Sequence, residues 1–344
     1  MTDFEWPPVL DTLMSGGDLT RAEARAAMAE IMSGDATEGQ IAAFIVAIRA
    51  KGETADEMTG LVEAMLDAAV TVDVGEPIVD VVGTGGDGYG TFNISTTAAF
   101  ITAGAGAKVA KHGNRAASSL TGSADLLEAL GFDLELGPAA TAHMVREVGF
   151  GFFFAPRYHP AMRHAGPVRR DIGVRTVFNF LGPLANPAHA KRQAIGVSDH
   201  LMAQRMIQVL QNLGTKYAFV FHGTDGLDEL TTTGPSYIYR LRDNEVTHAE
   251  FTPEDFGVPR ASLDDIRGGD AATNEGITLA ILRGESGPAR DIALVNAAPA
   301  IVVAGLADGF LEAMDLAAQA VDSGDALGVL ERAIVMSREL SGEA

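Results

Sequence analysis

The 344-residue sequence contains no cysteine. That removes disulfides, thiolate nucleophiles and Cys-ligated zinc from consideration. Positive charge is also short: 25 Lys and Arg stand against 46 Asp and Glu, a formal net charge of −21. Such a balance disfavours nonspecific binding to nucleic acid or to anionic membranes. No uninterrupted apolar run reaches membrane-spanning length. Met1 to Trp6 lacks a basic region followed by an apolar one, so no signal peptide is expected. Internal repeats and low-complexity linkers are missing as well. The expectation from these absences is a cytoplasmic enzyme.

What is present is ordinary in bulk, with 47% hydrophobic and 21% charged residues. The length suffices for one large domain and a smaller one. The 39 glycines point to tight turns and close backbone approaches. Charge is unevenly spread, because Lys108 to Arg192 holds 11 of the 25 basic residues against six acidic ones. An acidic chain with one locally basic stretch suits a polyanionic small molecule held in a pocket.

The first seventy residues read as helix. Three capping boxes follow in series, Thr20 with Glu23, Thr37 with Gln40 and Thr54 with Glu57. Gly34 and Gly52 stand where the first two of these helices should stop. Ile41, Phe44, Ile45 and Ile48 recur at helical spacing and make one apolar face. From about Val74 short β-rich runs (Ile78–Val82, Phe150–Phe154, Ala194–Val197, Tyr217–Phe221) alternate with helical stretches such as Ala139–Val148 and Leu201–Leu213. That alternation predicts βαβ units and a mostly parallel sheet. Tyr237–Leu241 and Val246–Phe251, separated by Asp243 and Asn244, read as an antiparallel hairpin, and the chain after Gly269 reads as mainly helical.

Ile78–Val82 runs into Gly83-Thr84-Gly85-Gly86-Asp87-Gly88. The glycine spacing fits a dinucleotide fingerprint, but an acidic residue should follow about twenty positions on, where the chain reads Lys108-Val109-Ala110-Lys111-His112. No Gly-Lys-Ser/Thr closes a Walker A loop either. Clustered glycines do let backbone N–H groups approach phosphate oxygens, with a helix beginning near Asn93-Ile94-Ser95-Thr96 adding its positive end. An ordinary strand-to-helix turn with an N-cap is the alternative reading of the loop alone. Lys111-His112-Gly113-Asn114-Arg115-Ala116-Ala117-Ser118-Ser119 is expected to follow the next short strand, placing cation, imidazole, amide and hydroxyls at the carboxyl end of the sheet. Arg169, beside Arg170, is suited to a planar carboxylate, and Phe178 to Pro187 reads as a turn-rich apolar wall. Asp228-Glu229 just beyond a strand offers hard oxygen ligands for Mg²⁺, although such a pair alone also reads as surface charge.

In their order, these motifs closely resemble those of the anthranilate phosphoribosyltransferases, and the resemblance covers essentially the whole chain. It implies an α/β fold of the nucleoside phosphorylase/phosphoribosyltransferase type. A small N-terminal all-helical domain (residues 1–72, joined in space by part of 160–190) would accompany a larger α/β domain (73–344) with a mostly parallel central sheet. It further implies a homodimer formed through the helical domain. Phosphoribosyl pyrophosphate would meet Gly83, Gly86, Asp87, Thr91, Asn93, Ile94, Ser95 and Thr96, the run Lys111 to Ser119, and Ser123. Anthranilate would meet Gly83, His112, Asn114, Arg169 and Pro183. Mg²⁺ would be held by Ser95, Asp228 and Glu229, with Lys111 and His112 as the catalytic pair. Two alternatives share the architecture. A pyrimidine nucleoside phosphorylase should not need the Asp228-Glu229 pair, and a noncatalytic nucleic-acid-binding relative should show a broad basic face.

Overall fold

The computed structural model describes residues 4–75, 77–116 and 120–342. Ala117, Ser118 and Ser119 of the expected donor site therefore lie outside the described residues.

The chain begins with four helices: α1 (Trp6–Met14), α2 (Arg21–Ser33), α3 (Glu38–Lys51) and α4 (Ala55–Asp67). All three expected capping boxes form. The hydroxyls of Thr20, Thr37 and Thr54 accept from the N–H of Glu23, Gln40 and Glu57, whose side chains return to the cap N–H groups. Gly34 closes α2 in the left-handed conformation and Gly52 closes α3. Ile41, Phe44, Ile45 and Ile48 are all fully buried. They share one apolar cluster with Val168, Phe180, Leu184 and Met206, so the bundle is packed onto the rest of the chain.

Seven strands form one sheet: β1 (Val79–Gly83), β2 (Val109–Gly113), β3 (Phe150–Phe154), β4 (Arg192–Gly196), β5 (Tyr217–Gly223), β6 (Ser236–Arg242) and β7 (Glu245–Phe251). Their order is β3-β2-β1-β4-β5-β6-β7. The first five run parallel, and β6 and β7 are added antiparallel. The β6–β7 hairpin turns at Asp243 and Asn244, both at positive φ (51° and 65°), the conformation a two-residue turn needs. Alternation along the strands sends Val79, Val81, Val109 and Phe150 to one face, under α5 (Ile94–Gly104) and the C-terminal helices. Val82, Ile195 and Val220 face the helical bundle instead.

One expectation is corrected. Lys111, His112 and Gly113 do not follow the second strand but are its last three residues. The parallel ladder to β3 continues through Lys111↔Phe152 to Gly113↔Phe154, and this backbone pairing outweighs the polarity of the side chains. From β1 the chain steps to β2 on one side, while β4 occupies the other. A cleft is therefore expected where the carboxyl ends of these strands diverge. Among the described residues no helix is long and apolar enough to cross a membrane.

Candidate active site

Four strand ends meet at this cleft, and residue 228 crosses two of them. A Cβ on Gly83 would lie 2.4 Å from Asp228 Oδ2, and one on Gly196 would lie 1.7 Å from the Asp228 carbonyl oxygen. Only glycine leaves room for that crossing. The Gly85 N–H donates to Asp228 Oδ2 at 2.6 Å, and the Ser95 N–H, at the start of α5, donates to Glu229 Oε1 at 3.2 Å. The far end of the loop is anchored by Tyr89, whose hydroxyl donates to the Asp225 carbonyl. Asp228 and Glu229 are only 8% and 7% exposed, so this pair is not solvated surface charge. Burial holds both carboxyls above the usual range, reinforced by Asp87 at Asp228 and by Asp228 at Glu229.

Successive side chains of β2 point to opposite faces. Lys111 is buried, its Nζ donating to Val81 O at 2.6 Å and lying 3.4 Å from Ser95 Oγ. Burial brings its pKa down to about 8, while attraction to Asp80, Glu229 and Asp228 resists the loss of its proton. His112 Nδ1 lies 3.2 Å from the Gly182 carbonyl, which can only accept, so Nδ1 carries the proton of the neutral ring. Its Nε2 is then a bare acceptor, buried and without a partner among the described residues. Burial, and secondarily the ring of His159 at 5.1 Å, push His112 down to about 3.

Beneath them lies Asp80, which the sequence reading passed over. It accepts the His112 N–H at 3.1 Å and Asn186 Nδ2 at 2.8 Å, and Asn186 also donates to Ala110 O. Burial raises Asp80 to about 6, against the opposing pull of Asn186 and Lys111. The signal was a lone carboxylate inside the apolar run Ile78–Val82.

Other expected residues are less uniform. Asn93 precedes α5 but makes no side-chain cap; its amide donates to Thr121 O and accepts from Asn274 Nδ2. Ile94 faces the core, and Thr96 is buried with its hydroxyl unpartnered among the described residues. Thr91 forms an isolated bridge with Arg267. Gly113 packs on Ser123 Oγ, which donates to Asn114 O at 3.2 Å. Arg115 turns outward, paired with Glu128 at 2.8 Å and Asp125 at 3.0 Å, while the Ala116 N–H donates to Asp125.

Arg169 lies on the helix Gly166–Ile172, partly buried, with its guanidinium 5.1 Å above the Phe178 ring. Burial lowers its pKa, and among the described residues no carboxylate pairs with it. Pro183, buried, follows the Gly182 whose carbonyl holds His112. No group of three or more His, Asp or Glu suited to a metal exists among the described residues. The Asp228-Glu229 pair fits a cation of another kind, Mg²⁺ bound by one or two carboxylates and completed by substrate phosphates. A cavity of about 430 Å³ beneath Phe219, Phe251 and Phe310 contains none of these groups, so charge rather than volume marks the site.

Residues 7–69 match the glycosyl transferase family helical bundle domain, and residues 75–327 match the glycosyl transferase family a/b domain. This pairing of bundle and sheet defines the class as glycosyl transferase. The chain is 50% identical over 337 residues to the anthranilate phosphoribosyltransferase of Symbiobacterium thermophilum, covering 98% of this chain and 99% of that one. The crystal structure of the anthranilate phosphoribosyltransferase from Thermus thermophilus superimposes with a TM-score of 0.91 at 40% identity, over 96% of this chain and 99% of that one. The Saccharomyces cerevisiae enzyme, solved in complex with PRPP and Mg, gives 0.88 at 28% identity, over 97% and 98%. The chain belongs to the anthranilate phosphoribosyltransferase family. The alternatives of nucleoside phosphorylase and noncatalytic binder find no support among these relatives.

Proposed function

We propose that the cleft at the carboxyl ends of β1, β2, β4 and β5 divides into three subsites for the family's reaction. The chain transfers the 5-phosphoribosyl group of phosphoribosyl pyrophosphate to the amine of anthranilate, forming N-(5-phosphoribosyl)anthranilate and pyrophosphate, a step of tryptophan biosynthesis. The C1–O bond to pyrophosphate breaks, the nitrogen lone pair forms the C1–N bond, and the amine gives up one proton. The observation that carries the reading is the meeting of the glycine loop with two buried carboxylates, through Gly85 N–H on Asp228 and Ser95 N–H on Glu229.

In this reading the glycine loop, the start of α5 and the end of β2 hold the donor, and Asp228, Glu229 and Ser95 hold Mg²⁺. A bound Mg²⁺ supplies neutralisation of the pyrophosphate charge. Lys111, buried yet kept protonated by three carboxylates, adds a fixed positive charge beside the same position. Arg169 takes the anthranilate carboxylate through its two-pronged guanidinium. His112, neutral and with an Nε2 that has no partner among the described residues, accepts a hydrogen bond from the amine and so orients its lone pair rather than capturing its proton. The chemistry is then mainly positioning and electrostatic stabilisation of the leaving group.

The same reading includes a helical unit of residues 1–72 joined by part of 160–190, an α/β unit of 73–344, and a cytoplasmic homodimer. The core shared by Phe44, Val168 and Phe180 supports the first, and the exposed Met14 and Val46 on α1 and α3 support dimerisation through the bundle. The metal assignment is tested with Asp228→Asn combined with Glu229→Gln. The Mg²⁺ concentration for half-maximal turnover is expected to rise by roughly tenfold or more. A wild-type Mg²⁺ response in the double variant removes the pair from the metal site.

A further inference from the structure

Arg175 lies between the helix that carries Arg169 and the short helix Phe178–Leu181, and its side chain reaches back to the glycine loop. Nη1 donates to Gly86 O at 3.1 Å, and Nη2 donates to Gly85 O at 3.2 Å and to Ser198 Oγ at 2.8 Å. Ser198 Oγ in turn donates to Gly85 O at 3.1 Å, as does Thr84 Oγ1 at 3.4 Å, so Arg175 shares that carbonyl with two hydroxyls while it alone meets the Gly86 carbonyl among the described residues. The guanidinium also lies 5.1 Å over the Phe180 ring. It packs on the loop itself, since a Cβ at Gly86 would sit 3.2 Å from its Cζ.

The direction of these bonds matters more than their number. Among the described residues there is no cis peptide bond, so in the loop each carbonyl points opposite to the N–H of the next residue. Holding the carbonyls of Gly85 and Gly86 against Arg175 therefore turns the N–H groups of Gly86 and Asp87 away from it. Neither amide has a protein acceptor among the described residues. Gly85 and Gly86 both lie at positive φ (68° and 74°), and successive amides in turns of this kind form a concavity for an anion.

We propose that Arg175 is a positioning residue that locks two peptide planes of the loop so that the Gly86 and Asp87 amides face the donor's phosphates. The inference rests on the reading of this loop as the donor subsite. Arg175 acts through the loop and touches no substrate. A planar fork is required, because two carbonyls and a hydroxyl are met at once by one rigid group, and a lysine ammonium cannot reproduce that geometry.

The test compares Arg175→Ala and Arg175→Lys with Arg170→Ala, a control on the exposed face of the neighbouring helix. In both Arg175 variants the KM for phosphoribosyl pyrophosphate is expected to rise about tenfold or more, as for loss of charge-assisted hydrogen bonds. The anthranilate KM and kcat should stay within about threefold, a split that general loss of structure does not produce. Added guanidinium ion should lower the donor KM of Arg175→Ala. Wild-type donor KM in Arg175→Ala, or full recovery in Arg175→Lys, overturns the proposal. Hydrogen exchange of the peptide spanning residues 83–91, with and without donor, separates the two layers. No protection by donor in the wild type defeats the donor-loop reading itself. Equal protection in the wild type and in Arg175→Ala defeats only the role of Arg175.

Discussion

Lys111 and Arg169 are both withdrawn from water, yet they have different surroundings. Lys111 is attracted by Asp80, Glu229 and Asp228, whereas Arg169 has, among the described residues, the face of Phe178 and no counter-charge. A partly buried cation without a counter-charge carries a desolvation cost that a bound carboxylate relieves. Arg169→Ala is therefore expected to raise the anthranilate KM by about 10- to 100-fold while leaving the donor KM near its wild-type value. Steady-state kinetics with each substrate varied checks this, and an unchanged anthranilate KM contradicts the carboxylate role. Lys111 and His112, at the end of β2, and Asp228 and Glu229, in the loop after β5, could be singled out in the sequence as candidates because their types are chemically loaded. Asp80 was hidden in an apolar run, and its partner Asn186 lies 106 positions away. Arg175 was no more visible than any other arginine, since its role lies in the direction of two loop carbonyls.

At the scale of elements, legibility tracks how local the determining forces are. The three capping boxes and the Gly34 and Gly52 stops depend on a few adjacent residues, and each appears where the sequence put it. The hairpin turn at Asp243-Asn244 is equally local. The end of β2 is not, because its last residues are strand only by virtue of pairing with β3. Close helix packing is likewise invisible from one helix alone. A Cβ on Gly60 in α4 would lie 2.2 Å from the Arg21 carbonyl of α2, whereas one on Gly39 in α3 meets nothing within 4 Å. Gly60→Ala should accordingly destabilise the protein by about 1–3 kcal/mol through overpacking. Gly39→Ala should be neutral or stabilising by up to about 1 kcal/mol, as expected for alanine in a helix. Thermal melts of the two variants check the pair, and equal shifts would show that α2 and α4 do not approach this closely.

Across the whole molecule, the sheet does the assembling. Segments as distant as Gly83, Lys111, Ser198 and Asp228 meet because their strands are neighbours in the order β2-β1-β4-β5 and all end at the same edge. The connection through Arg169, Arg175 and Pro183 joins the bundle's core to that edge, bringing the acceptor's side of the reading to the donor's. The alternating pattern of runs made the parallel sheet legible, but strand order and the crossing of residue 228 over Gly83 and Gly196 arise only from assembly. The central claim is phosphoribosyl transfer to anthranilate at this cleft, and anthranilate fluorescence follows it directly. Purified protein should quench the signal only when phosphoribosyl pyrophosphate and Mg²⁺ are both present, with pyrophosphate released in equal amount. Persistent fluorescence across pH and metal conditions, or loss of signal without pyrophosphate, would contradict the account.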